Sequence, residues 1–339
     1  MTHIFKLTFI ATAFLFMSCN FSAQTKDYYS ARIDSLMNRF HNNGMFNGNV
    51  LVSKNNKIIY NCSFGFADAN KTTKLTSDYK FNIGSITKEF SAVALMQLIE
   101  KGELALNDKI SKIFPELPEW SNKVSIRDLL QYTSGLPDVN WKKIKSNEDI
   151  FEDLKAIDTL NFDPGTQYDY NNNNFFLRLS IIEKIGGMSY KDYVQQNIFK
   201  PLKMNSAEIT PIQENHNIAK GFNNKLIEDK SDFLVGGTFL TTTDLLKFLD
   251  NLHSNKIISK NSLFELGQHF NKEDTQSALG EAKFKNKILL EHSHDGRGGS
   301  YEALMITNMK NSFSIILLSN NYQGKIFEIS QAIISILNN

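Results

Sequence analysis

The stretch Phe90-Ser91-Ala92-Val93-Ala94-Leu95-Met96-Gln97-Leu98-Ile99 constrains this chain more than any other. Its apolar residues fall on nearly every side of a helical wheel, so the helix they form has to be buried all round. Other elements must wrap it, and 339 residues suffice for one large or two modest domains with a real core. Gly102 supplies a stop. What opens the helix is chemical. Gly84-Ser85-Ile86-Thr87-Lys88 places a hydroxyl and an amine three positions apart, on one helix face and within reach of each other. A serine hydroxyl is a weak nucleophile until a neighbour takes its proton. The same helix end offers backbone N–H groups and a positive dipole, which suit a developing oxyanion. The competing reading is a serine that caps a helix and nothing more. Ser77-Asp78-Tyr79-Lys80 repeats the spacing, but it follows the polar stretch Lys71-Thr72-Thr73-Lys74-Leu75-Thr76 and has no periodic run behind it.

The two ends of the chain read differently from its middle. Tyr28 to His41 has Ile33, Leu36, Met37 and Phe40 at helical spacing. Gly48 to Ser53 and Lys57 to Tyr60 read as strands joined by a turn at Lys54-Asn55-Asn56. From Ser85 to about Met204 the pattern is mostly helical, as in Leu177 to Ile185 and Tyr190 to Ile198. Strands return at Ala303 to Thr307 and Phe313 to Leu318, and an amphipathic helix from Ile326 to Leu337 closes the chain. Strands at both ends with helices between predict an α/β fold in which residues 24–84 and 215–339 form one discontinuous domain. Residues 85–214 then form a mostly helical domain.

The N-terminus reads as an export signal over residues 1–23. Lys6 precedes an apolar run from Leu7 to Met17, of signal-peptide length and too short to span a bilayer. Two exits are open. Phe16-Met17-Ser18-Cys19 resembles a lipobox with Phe16 where Leu is usual, and cleavage there would leave a lipid anchor on Cys19. Cleavage near Phe21-Ser22-Ala23-Gln24 would release a soluble protein. The expected location is therefore exported, either periplasmic or membrane-anchored. Cys19 and Cys62 are too few for a disulfide framework, and Cys62, within a strand-like stretch, reads as a small buried residue. A net charge of +1 gives no electrostatic case for nucleic acid.

Two further constellations carry chemistry. Asp163-Pro164-Gly165-Thr166 makes a turn, and Gln167-Tyr168-Asp169-Tyr170-Asn171-Asn172 leads into an apolar helical run from Phe175 to Ile185. Tyr170 and Asn172 put a phenol and an amide close together; the alternative is a core tyrosine beside a capping asparagine. Residues 171–174 are all asparagine, so an amide at any fixed offset carries little weight alone. Glu291-His292-Ser293-His294-Asp295-Gly296-Arg297-Gly298-Gly299 precedes the C-terminal strands. His292 and His294 share one face of a strand. As a metal pair they lack a third ligand of sensible spacing, so a metal-dependent hydrolase is the weakest reading and no cofactor is expected. The glycines suit a backbone held close to a ligand. His3, His41, His216, His253 and His269 are scattered and read as surface or packing residues.

Ser85-x-x-Lys88, Tyr170-x-Asn172 and His294-x-Gly296 stand in this order. The set resembles the serine β-lactamase and D-Ala-D-Ala peptidase superfamily, in particular its class C-like, β-lactamase-related branch. The likeness covers nearly the whole mature chain. Lys80 to Ser85 is similar to that branch's lead-in to the nucleophile, and Asp128 to Pro137 to its helix-then-loop segment. Pro164-Gly165 before Tyr170, and Val235-Gly236-Gly237-Thr238 before Thr243-Asp244-Leu245, also match. The resemblance implies an antiparallel sheet flanked by helices, with the site between the domains. It implies that Ser85 attacks a carbonyl, Lys88 holds or accepts the serine proton, and Tyr170 shuttles a proton to the leaving group. It also implies that Asn172 orients Lys88 and the substrate amide, that the N–H groups of Ser85 and Arg297 form an oxyanion hole, and that His294 and Gly296 line the substrate strand.

Two departures from that pattern stand out. Tyr132 occupies a position where many relatives have histidine. Asp295 stands where carboxylate-binding relatives usually carry Thr or Ser. An ionised Asp295 repels a substrate carboxylate unless Arg297 compensates, which favours esters, amides or peptides without that carboxylate. The expected function is an exported serine hydrolase working through an acyl-enzyme on a small-molecule or peptide substrate, D-amino-acid peptides, peptidoglycan fragments and β-lactams among the candidates. The alternative is a penicillin-binding-like sensor that binds cell-wall fragments without turnover. No further C-terminal binding domain is expected after the last helix.

Overall fold

The computed structural model describes residues 28–142, 144, 147–210, 217–229, 237–271 and 275–338. The expected signal segment with Cys19 lies outside them, as do His3, His216, Val235 and Gly236. In chain order the elements are α1 (Tyr28–Asn42), β1 (Gly48–Lys54), β2 (Lys57–Phe64), β3 (Phe81–Asn82), α2 (Thr87–Glu100), α3 (Ile110–Ile113), α4 (Ile126–Leu130), α5 (Asn147–Lys155), α6 (Asn172–Gly186) and α7 (Tyr190–Val194). They continue with β4 (Glu208–Ile209), β5 (Thr238–Leu240), α8 (Thr242–His253), α9 (Lys260–Leu266), β6 (Glu281–Lys285), β7 (Ile288–Gly298), β8 (Tyr301–Asn308), β9 (Phe313–Ser319) and α10 (Ile326–Leu337).

The main sheet is antiparallel in the order β2-β1-β9-β8-β7-β6. The β1–β2 turn is made by Asn55 and Asn56 at φ 51° and 59°, the left-handed pair that a tight hairpin needs. β1 then pairs along its whole length with β9, from Gly48 opposite Ser319 to Lys54 opposite Phe313. The two chain ends are thereby locked into one sheet. Both faces of that sheet are covered, which explains the near-continuous apolar runs. Val50, Val52, Leu304, Ile315 and Leu317 face α1 and α10, packing with Ile33, Met37, Ile329 and Ile333. Leu51, Ala303, Met305, Ile316 and Leu318 face the other way, into the core that contains α2, α6 and α8. Cys62 is buried on β2.

The predicted central helix is α2, whose residues Thr87 to Met96 and Leu98 are all buried. Gly102, at φ 78°, follows its end. Phe90 stacks against Phe199 and Phe248, at centroid distances of 5.4 and 4.3 Å. A second small sheet, β3-β5-β4, delivers the chain to the start of α2. The helical stretch from α2 to α7 lies between β3 and β4 in sequence, and α8 packs back on the sheet. β6, α8 and α9 are elements that the sequence reading left unassigned.

Candidate active site

Ser85 lies in a 3-10 turn, Gly84–Ile86, just before α2. It is not the helix cap: that position is Ile86, and no side chain caps it. Freed from capping, the hydroxyl faces two partners. Lys88 Nζ donates to Ser85 Oγ at 3.1 Å, and Tyr170 OH donates to it at 2.9 Å. Ser77, in the look-alike motif, is exposed in a turn, and its Lys80 pairs with Glu208.

Lys88 is 7 % exposed. Its ammonium lies 5.1 Å from the Tyr170 ring centroid and 5.3 Å from that of Phe175. Burial pulls its pKa from 10.5 down to about 8, Arg178 adds to the fall, and Tyr132 and Asp138 oppose it. The amine is thus poised to lose its proton near neutrality. Tyr170 moves the other way: burial raises its phenol, with the Ser85 hydrogen bond and Arg178 opposing and Asp295 adding to the rise.

Glycine shapes the other wall. Gly84 sits at φ 53°, and a Cβ on it would lie 2.3 Å from Arg297 N. A Cβ on Gly296 would lie 1.9 Å from Ile83 O and 2.9 Å from Ser85 N. No side chain fits at either position, so the turn bearing Ser85 and strand β7 touch backbone to backbone. The backbone nitrogens of Ser85 and Arg297 both lie at this contact. A cleft of about 400 Å³ opens there, lined by Ser85, Tyr168, Tyr170, Gln276, Asp295, Gly296 and Arg297. Asp295 and Arg297 are both exposed on it. The Arg297 guanidinium lies 3.7 Å over the Tyr322 ring rather than on Asp295, and among the described residues Asp295 forms no ion pair. Tyr168 OH accepts from the Gln276 N–H at 3.2 Å, and burial leads the rise of its phenol to about 12.

Two expected substrate-binding residues are placed differently. His294 is 3 % exposed and does not line the cleft. Its Nδ1 lies 2.7 Å from Glu89 Oε1. Alternation along β7 explains this: Asp295 and Arg297 face out, and His294 faces in. Asn172 does not bond Lys88, whose amine has Ser85 as its hydrogen-bond partner among the described residues. The Asn172 N–H and Nδ2 both donate to Asp138 Oδ1, at 2.9 and 3.4 Å. Asn171 caps α6, accepting from the Asn174 N–H. Asn172 is therefore the first residue of α6, held to Asp138.

Sequence reasoning missed the group beneath. Glu89 is fully buried and joins α2 to β7 through His292 and His294, with His292 Nε2 at 3.1 Å from Glu89 Oε1. Burial would raise the Glu89 carboxyl, but the two histidines outweigh it and hold it far below the usual range. His253 Nε2 lies 2.9 Å from His292 Nδ1, and burial drives its imidazole pKa down to about 3. Among the described residues no group of three or more His, Cys, Asp or Glu is arranged to hold a metal. The signals for this clamp were the His292–His294 pair on one strand face and an acidic residue near the head of an apolar helix.

Tyr132 also belongs to the site. It is 1 % exposed and left-handed at φ 56°, a conformation that costs a bulky residue on the order of 1–3 kcal/mol. The capping box between Ser125 and Asp128 starts α4. The Asp169 N–H donates to Tyr132 O at 2.9 Å and holds the following loop. The Tyr132 ring packs on Tyr170 at 4.7 Å.

A serine hydroxyl that accepts hydrogen bonds from a buried lysine and a half-buried tyrosine has the groups that serine acyl transfer needs. The sequence model of the Beta-lactamase family matches residues 31–332, and the chain belongs to that family. It is 29 % identical over 322 residues to a penicillin-binding protein of Bacillus subtilis (strain 168), covering 84 % of this chain and 70 % of that one. It is 27 % identical to Protein flp of Staphylococcus aureus (strain MRSA252), covering 85 % of this chain and 62 % of the relative. It thus spans less than two thirds of the latter's length. In fold it is similar to a class C β-lactamase, with TM-score 0.79 and 20 % identity over 93 % of this chain and 98 % of that one. The D-amino acid amidase of Ochrobactrum anthropi SV3 aligns with TM-score 0.77 and 21 % identity, over 92 % and 98 %. The fold is that of the β-lactamase-like serine hydrolases, as expected.

Proposed function

We propose that this protein is a serine hydrolase that works through a covalent acyl-enzyme on an amide, peptide or ester. The observation that carries this is Ser85 Oγ receiving hydrogen bonds from both Lys88 and Tyr170 at the floor of the cleft. In the first step the Ser85 Oγ–carbon bond forms and the carbonyl oxygen takes the negative charge, facing the N–H groups of Ser85 and Arg297. The serine proton passes to the Lys88 amine, directly or through Tyr170. Collapse breaks the carbon–leaving-group bond, and Tyr170 returns a proton to the leaving nitrogen or oxygen. Water then repeats the sequence on the acyl-serine.

Asp295 narrows the substrate class. An unpaired carboxylate on the cleft wall disfavours a substrate carboxylate and favours a neutral or cationic group there. D-amino-acid amides and uncharged esters fit this better than penicillins or free D-Ala-D-Ala termini. The apolar run before Cys19 supports export, with either a lipid anchor or a soluble periplasmic form. Side-by-side labelling with a fluorophosphonate and a fluorescent penicillin, with ester and D-amino-acid amide turnover, tests the reading. Fluorophosphonate labelling and ester hydrolysis are expected. Penicillin binding without any turnover would point to a sensor instead. Cell fractionation with a Cys19→Ala variant tests the anchor.

A further inference from the structure

Arg178 is 0 % exposed in the middle of α6. Among the described residues its one hydrogen bond is a weak one, from Nη2 to Tyr132 OH at 3.4 Å, Nε and Nη1 have no hydrogen-bond partner, and no carboxylate forms an ion pair with it. A buried cation without a carboxylate is costly and is seldom kept for stability. The guanidinium has rings around it instead: Cζ lies 5.5 Å from the Tyr132 centroid and 5.7 Å from that of Phe175. Each ring leads to the reacting groups. Tyr132 packs on Tyr170 at 4.7 Å, and Phe175 lies 5.3 Å from the Lys88 ammonium. The left-handed backbone of Tyr132 is what puts its ring between the guanidinium and Tyr170.

We propose that Arg178 is a positioning residue for the acyl transfer: it holds the Tyr132 ring against Tyr170 and the Phe175 ring beside the Lys88 ammonium. This rests on Ser85, Lys88 and Tyr170 being the reacting set. The charged and titratable groups around that pair are few. Arg178 approaches from α6, Tyr132 and Asp138 from the segment after α4, and Asp295 from β7. Glu89 is turned to His292 and His294. Arg297 also lines the cleft, exposed and stacked on Tyr322; Arg178 is the buried cation of the set, so its removal has a definite sign. Lys88 has to bind its proton more tightly, and the rising limb of the pH–rate profile has to move to higher pH.

The test is the pH dependence of fluorophosphonate acylation at Ser85 in the full chain, for the native protein and for Arg178→Met, Arg178→Lys and Tyr132→Phe. Arg178→Met should slow acylation at pH 7 by at least about tenfold and raise the midpoint of the rising limb by about one pH unit. Its melting temperature should be equal or higher, since an apolar side chain replaces an unpaired buried charge. Arg178→Lys should return the midpoint to near the native value. Tyr132→Phe should slow acylation while leaving the midpoint closer to native than in Arg178→Met. An unchanged midpoint in folded Arg178→Met, or an equal displacement in Arg178→Lys, overturns the inference alone. A native chain that takes no label at Ser85 overturns the hydrolase reading, and the inference with it.

Discussion

The two walls of the cleft are built on opposite terms. On the helical wall Lys88, Tyr132 and Arg178 are buried, the reacting side chains touch one another, and burial moves the pKa values of Lys88, Tyr132 and Tyr170. On the strand wall Asp295 and Arg297 are exposed, and the backbone at Gly296 packs against that of the Ile83–Ser85 segment with no room for a side chain. In the proposed hydrolase the first wall is to set reactivity, because proton affinities respond to desolvation and neighbouring charge, and the second is to hold the oxyanion and sort substrates, because exposed charges act on whatever enters. Substitutions on the first wall should change rate, and side-chain substitutions on the second should change preference.

The largest effect should come from the helical wall. Ser85→Ala should reduce ester turnover to background with no change in melting temperature, measured by continuous hydrolysis and calorimetry. Lys88→Ala and Tyr170→Phe should each lower kcat by roughly a hundredfold or more, and the double variant should lose less than the product of the two. Fully multiplicative losses would mean that the two groups do not share a proton.

The same wall predicts a pH signature. The Lys88 amine, held at about 8 in the fold against 10.5 ordinarily, should give kcat/KM a limb rising through about pH 8. The sign for stability is also fixed. Between about pH 8 and 10.5 the unfolded chain binds more protons at this site than the native one, so the Lys88 contribution grows with pH across that window. Lys88→Met should remove both dependences. A pH-independent rate from 6 to 10 would break the assignment.

The strand wall should give smaller changes that depend on substrate. For a matched neutral ester and carboxylate-bearing ester, kcat/KM should favour the neutral one by roughly tenfold to a hundredfold, given like charges about 4 Å apart in a partly solvated site. Asp295→Thr should narrow that ratio without altering turnover of the neutral ester by more than about threefold. Added salt should narrow it further, by a smaller factor. Equal turnover of both esters, unaffected by Asp295→Thr, would make the two walls alike.

Much of this arrangement was legible in local pattern. The helical spacing of Ile33, Leu36, Met37 and Phe40 gave α1. The asparagine pair gave the β1–β2 hairpin, and the all-round apolar run gave the buried α2. The reach from Ser85 to Lys88 follows from helix geometry. Other features depend on contacts distant in sequence. The pairing of β1 with β9 and the approach of Gly84 to Arg297 N follow from the assembled tertiary structure, not from either segment alone. Asn172 was expected to bond Lys88 but bonds Asp138 instead, because four successive asparagines offer several helix starts and the fold uses Asn171 as the cap. His294 was assigned to the cleft by resemblance, while the pleat of β7 points it at Glu89. The readable signal at Arg178 was a lone charge inside the apolar run of α6, but its significance lies in the Tyr132 ring, which a left-handed backbone brings to it.

The central claim is that Ser85 is the residue acylated. Peptide mass mapping after fluorophosphonate treatment, run on the native chain and on Lys88→Ala, measures it most directly. The expected result is a single adduct on the peptide containing Ser85, formed at least about a hundredfold more slowly in Lys88→Ala. An adduct on Ser77, or ester turnover surviving in Ser85→Ala, would contradict it.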